Sequence, residues 1–113
     1  MSRRSAKTRC RRVAVVAPPS SDDPIEVLVA RARRLRRKGE TRRALVLLRQ
    51  ACALDEWRPR TYTLLGVQAA REGLRAEASQ ALNQARWLRA RAGDEARAAV
   101  TARLAAELVP EAA

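Results

Sequence analysis

The chain has no histidine and no phenylalanine, and its aromatic residues are limited to Trp57, Tyr62 and Trp87. The missing imidazole removes the commonest general base and a common metal ligand. Four glycines, each isolated, form no loop of the kind that cradles phosphates. Two cysteines, Cys10 and Cys52, make neither a disulfide framework nor a metal-ligand spacing. They read as free thiols in a reducing, cytoplasmic compartment. No apolar run approaches the roughly 20 residues of a membrane span. The basic start followed by apolar residues 13–17 imitates a secretion signal, but a signal core needs roughly seven to fifteen apolar residues. An Arg/Ser-rich organellar transit peptide is the closer imitation. Asp22 and Asp23 are adjacent, and Glu72 and Glu77 straddle a turn where they are expected to be solvated. None of them makes an acid/base pair. These absences argue against an enzyme and against any cofactor or metal.

Positive charge is abundant. Over 113 residues, 24 basic and 12 acidic side chains give a net charge of +12. Only Lys7 and Lys38 are lysines; the other 22 basic residues are arginine. GC-rich codons are one source of such an excess, and a solvated arginine-rich face is its bland structural meaning. Whatever its origin, the charge attracts acidic peptides, nucleic acid or anionic surfaces.

Residues 1–22 combine Arg3, Arg4, Lys7, Arg9, Arg11 and Arg12 with Pro18 and Pro19. They are expected to form a disordered basic tail. A helix start follows, with Asp23 as N-cap, Pro24 in the first turn and Glu26 placed to close a capping box. Ile25, Leu28, Ala32 and Leu35 mark its apolar stripe, and Gly39 ends it. The second helix, over 41–54, is expected to bury Ala44, Leu47, Leu48 and Ala51. Pro59 opens a third, with Tyr62, Leu65, Gly66 and Ala69 inward, and Gly73 stops it. A fourth, over 75–91, buries Ala78, Leu82 and Ala85. Asp94 caps a fifth, with Ala96, Ala99, Val100, Leu104 and Leu108 on one side.

The chain also matches itself at an offset of 34 residues: Gly39 with Gly73, Ala44 with Ala78, Leu48 with Leu82, Ala51 with Ala85. Leu28 and Tyr62 share a large residue, Ala32 and Gly66 a small one. A period of this length predicts stacked helical hairpins, an all-α solenoid of antiparallel helices. The expected helical domain spans 23–109, with repeats at 25–58 and 59–92, a capping helix at 94–108 and a short tail at 110–113.

These residues resemble the tetratricopeptide repeat family. The register from Ile25 supplies Leu28, Ala32, Leu35, Gly39, Ala44, Leu48 and Ala51. That from Pro59 supplies Tyr62, Leu65, Gly66, Gly73, Ala78, Leu82 and Ala85. Arg31, Ala69, Glu56 and Ala90 depart from the family pattern. The resemblance implies a right-handed solenoid of two repeats plus a cap. It also implies that the first helix of each hairpin lines a concave groove. The groove residues it names are Glu26, Val29, Arg33, Arg36, Arg37, Arg60, Thr63, Val67, Ala70 and Arg71, joined by Arg97 from the cap helix. Such a groove, basic with apolar patches at Val29 and Val67, suits an acidic extended segment or helix of a partner protein. The lysine-and-asparagine clamp that some family members use on a terminal carboxylate is absent, its positions being Val29, Arg33 and Leu64.

Nucleic acid is the rival partner, engaged through the tail and the basic run over 31–43. The few aromatics argue against it, because single-strand binders use stacking platforms. A chaperone or assembly factor for a secretion or surface machine is a third reading. Arrays this short bury little core, so self-association or docking onto a larger partner is a further expectation. Trp57 is expected to pack at the seam between repeats, with a role as partner anchor the alternative for it and Trp87.

Overall fold

Helix formation begins at Asp23, the first of the residues, 23–110, that the computed structural model describes. The expected basic tail at 1–22 and the last three residues lie outside them. Asp23 is extended, and its Oδ1 accepts the Ile25 amide at 2.9 Å. Pro24 occupies the first turn, where a missing N–H costs nothing. Arg58 donates to Asp23 Oδ2 at 3.0 Å and holds that carboxyl below its ordinary value. The expected capping box is not formed. Glu26 Oε2 instead accepts from Arg60 at 2.7 Å and lies 3.5 Å from Arg58. A charge-assisted bond to one guanidinium, with a second cation nearby, is stronger than a reach back to one backbone amide.

Five helices follow among the described residues: α1 (Pro24–Arg37), α2 (Thr41–Leu54), α3 (Pro59–Arg71), α4 (Arg75–Arg91) and α5 (Glu95–Leu108), with no strand. The protein is all-α, as expected. Three of the four connections are one device repeated. Gly39, Gly73 and Gly93 have φ of +86°, +80° and +82°, the left-handed region that glycine enters without a Cβ penalty. At each, the residue after the glycine donates to a carbonyl five positions back: Glu40 to Leu35 at 2.8 Å, Leu74 to Ala69 at 2.9 Å, Asp94 to Arg89 at 2.8 Å. Each glycine also donates three positions back, to Arg36, Ala70 and Ala90. This is the Schellman arrangement, and it satisfies helix-end carbonyls while reversing the chain. The α2–α3 link differs. It is extended at Asp55, whose Oδ1 accepts the Trp57 amide at 3.0 Å, and Pro59 starts α3.

Each helix packs on its sequence neighbours, and α3 also touches α5. Ala44, Ala51, Ala69, Ala78 and Ala85 are fully buried, so the helix backbones approach closely. Ile25, Leu45, Leu48, Leu65, Leu82 and Leu88 fill the space between. Cys52 is a buried free thiol, pushed up to about 11 chiefly by that burial. Glu72 and Glu77 are not simply solvated. Glu72 accepts from Thr41 at 3.1 Å and from Gln68 at 3.2 Å, tying the start of α2 to the end of α3. Glu77 takes a two-pronged bond from Arg49, at 2.6 and 2.7 Å, which holds its carboxyl below the ordinary value.

The face of α5 also departs from expectation. Ala98 and Thr101 are buried, with Leu104, Ala105 and Leu108 against the core, whereas Ala96, Ala99 and Val100 are exposed. Alanine has too little apolar surface to fix a helix face. Thr101 settles the rotation: its hydroxyl donates to the Arg97 carbonyl at 2.7 Å and accepts from Arg89 at 2.7 Å. Among the described residues, no helix is long and apolar enough to cross a membrane.

Candidate functional site

A groove of about 230 Å3 opens where α1, α2 and α3 meet. Helical spacing on α1 brings Val29, Ala32, Arg33 and Arg36 to one side of it, and spacing on α3 brings Leu64, Val67, Gln68 and Arg71 to the other. Ala44 and Leu48 of α2 complete the lining. Val29, Ala32, Ala44, Leu48 and Gln68 are buried and form the floor. Arg33, Arg36 and Arg71 are exposed and form a rim of guanidinium groups. Among the described residues none of the three makes an ion pair. Their donor forks are therefore open to a carboxylate or phosphate, above a surface that favours apolar side chains.

Of the groove residues named from the sequence, Val29, Arg33, Arg36, Val67 and Arg71 come together here. Val29 is only 3% exposed, so it serves as floor and offers a partner little area. Arg37 is exposed but lies outside the lining, and Ala70 packs partly against the core. Arg60 and Glu26 are joined to each other across the 34-residue offset, so neither is an open contact. Thr63 is drawn into a structural relay. Its hydroxyl donates to the Pro59 carbonyl at 3.1 Å and accepts from Arg89 at 2.9 Å. The same Arg89 reaches Thr101, so one half-buried guanidinium bridges α3, α4 and α5. Burial pushes the Arg89 guanidinium below its ordinary value, with the nearby Arg97 adding to the shift. Arg97 lies away from the groove, 3.7 Å from Asp94, whose carboxylate caps α5 by accepting the Arg97 amide.

Five lining residues were not named for the groove from the sequence: Ala32, Ala44 and Leu48 read as core, Leu64 as an unfilled clamp position, and Gln68 had no reading. For Ala32 the available signal was its small-residue match with Gly66. Gly66 is pressed against α4: a Cβ built there falls 2.6 Å from Leu82 Cγ. Ala32 lines open space instead. The cavity thus belongs to the first helix pair and its junction with α3.

Trp57 meets Trp87 of the other expected repeat but is not buried at a seam. It is 65% exposed and lies beside Trp87, itself 48% exposed, with ring centroids 6.3 Å apart and planes inclined by 36°. The Arg91 guanidinium lies 5.7 Å from the Trp57 ring centroid and 5.3 Å from that of Trp87. The Trp57 link has its own anchor in Arg58, which meets Asp23, Glu26 and Asp55 and leaves the indole outward. No protein-family model matches the chain, and none of the curated proteins compared with it is a match.

Proposed function

We propose that this is a short, non-catalytic scaffold of the tetratricopeptide type, cytoplasmic, whose groove takes an acidic segment of a partner protein. The observation that carries the reading is the rim of Arg33, Arg36 and Arg71, unpaired among the described residues, beside the half-buried apolar wall of Leu64 and Val67. An extended or helical segment with carboxylates flanking one or two aliphatic side chains meets both parts of that surface. The repeat reading is supported by the 34-residue match of Gly39 with Gly73, both of which end their helices in the same way.

The test is affinity capture with the full chain beside Arg36→Glu/Arg71→Glu, followed by titration of a labelled Glu-rich peptide carrying leucines. Each exposed guanidinium–carboxylate bond is worth about 1 kcal/mol in such a setting, so the double reversal weakens the peptide by about 30-fold or more. The wild-type complex survives well above physiological salt, because apolar contacts with Leu64 and Val67 are not screened. An unchanged set of captured proteins and an unchanged titration would show that the groove is not the ligand surface.

A further inference from the structure

A second surface shares no lining residue with the basic groove. Trp57 and Glu56, on the α2–α3 link, face Gln80, Asn83, Gln84, Arg86 and Trp87 of α4 across an open depression of about 800 Å3. Both of the chain's tryptophans stand there, each about half exposed or more. Indoles are large apolar groups that folding normally covers, and no element of the described fold covers these. Arg91 lies close to both rings and fixes them as one unit through cation–π attraction. Neither Arg86 nor Arg91 pairs with a carboxylate among the described residues.

We propose that this surface is a stacking site for single-stranded nucleic acid. The requirements of such a site are a π-face for the base, cations for the phosphates, and groups that bond base edges without demanding one sequence. Trp57 and Trp87 supply the first and Arg86 and Arg91 the second. Gln80, Asn83 and Gln84 supply the third, with Glu56 able to accept from exocyclic amines. A net charge of +12 draws a polyanion to the whole molecule, and the indoles convert that attraction into a located contact. An extended proline-rich peptide is the competing occupant for paired tryptophans and amides. It offers nothing to the two arginines, and charge complementarity decides for nucleic acid. The sequence argued against this partner for want of a stacking platform. Trp57 and Trp87, 30 positions apart in the chain, make one only when the α2–α3 link is laid beside α4.

The experiment titrates the full chain with a labelled oligothymidylate of about 12 nucleotides, within the range of site sizes of single-strand-binding domains. Anisotropy gives the affinity, and tryptophan emission reports on the site itself, because both indoles belong to it. Saturable quenching is expected, with Trp57→Ala and Trp87→Ala each weakening the single strand by about 5- to 100-fold. Both residues are exposed, so circular dichroism melts of the variants stay near wild type. A duplex of the same length binds without quenching and without sensitivity to either substitution. The Glu-rich peptide of the groove titrates the tryptophan variants as it does wild type, which separates failure here from failure there. Unchanged oligothymidylate affinity in both variants would overturn the proposal and leave only nonspecific charge. So would quenching by a proline-rich peptide with none by the oligonucleotide.

Discussion

Replacing Gly66 by alanine tests how closely α3 and α4 are packed. A Cβ at this position falls 2.6 Å from Leu82 Cγ, 2.9 Å from Cδ2 and 3.3 Å from the Ala78 carbonyl oxygen. Carbon atoms rest about 3.5–4.0 Å apart, so the branch point of Leu82, and not merely its tip, has to retreat by about 1 Å. Leu82 is 0% exposed and has nowhere to swing. Overpacking of this kind costs about 1–3 kcal/mol, and the better helix propensity of alanine returns about 1 kcal/mol. The expected net loss is about 0–2 kcal/mol. Thermal unfolding followed by circular dichroism should register it as a fall in Tm of up to roughly 15 °C. In a Leu82→Ala background the clash is gone, and the same substitution becomes neutral or stabilising by up to about 1 kcal/mol. A cycle that adds within about 0.5 kcal/mol, or a single Gly66→Ala that raises Tm, would refute the close approach of these helices.

Among the described residues the buried Thr61 hydroxyl has no hydrogen-bond partner, and the residue is 0% exposed. Thr61→Val is therefore expected to stabilise the fold by about 1 kcal/mol in urea denaturation, since it removes an unsatisfied polar group at nearly constant volume. Arg49 holds Glu77 below the ordinary glutamate value of 4.5, so this pair contributes stability above that pH and loses it as the pH falls through the lower folded value. Glu77→Gln is expected to cost about 0.5–1 kcal/mol near neutrality, with wild type and variant converging in denaturant titrations carried well into the acid range.

Local chemistry made much of this fold legible. Asp23–Pro24 and the terminal glycines announce helix ends through interactions within a few residues, and the helices begin and end there. The small positions Ala44, Ala51, Ala78 and Ala85 were readable because close packing leaves few alternatives, and all four are buried. What stayed hidden depends on partners distant in sequence. Glu26 looked like a capping group until Arg60, a full offset away, claimed its carboxylate. Thr63 looked available until Arg89 reached it from α4. On α5, six alanines blurred the apolar stripe, and a threonine hydroxyl chose the buried face. The groove was half legible: the resemblance to a repeat family named Arg33, Arg36 and Arg71, but not which of the many arginines already had structural work. The tryptophan pair was illegible because nothing local links residue 57 to residue 87.

The bond between Glu26 and Arg60 bears on how such a chain can grow. The two residues hold corresponding places in successive helix pairs yet carry opposite signs, and they meet at 2.7 Å. Tandem duplication of the first pair alone would set carboxylate against carboxylate, and duplication of the second, guanidinium against guanidinium. Lengthening by gene duplication therefore sets opposite charges at every junction only when both units are copied together.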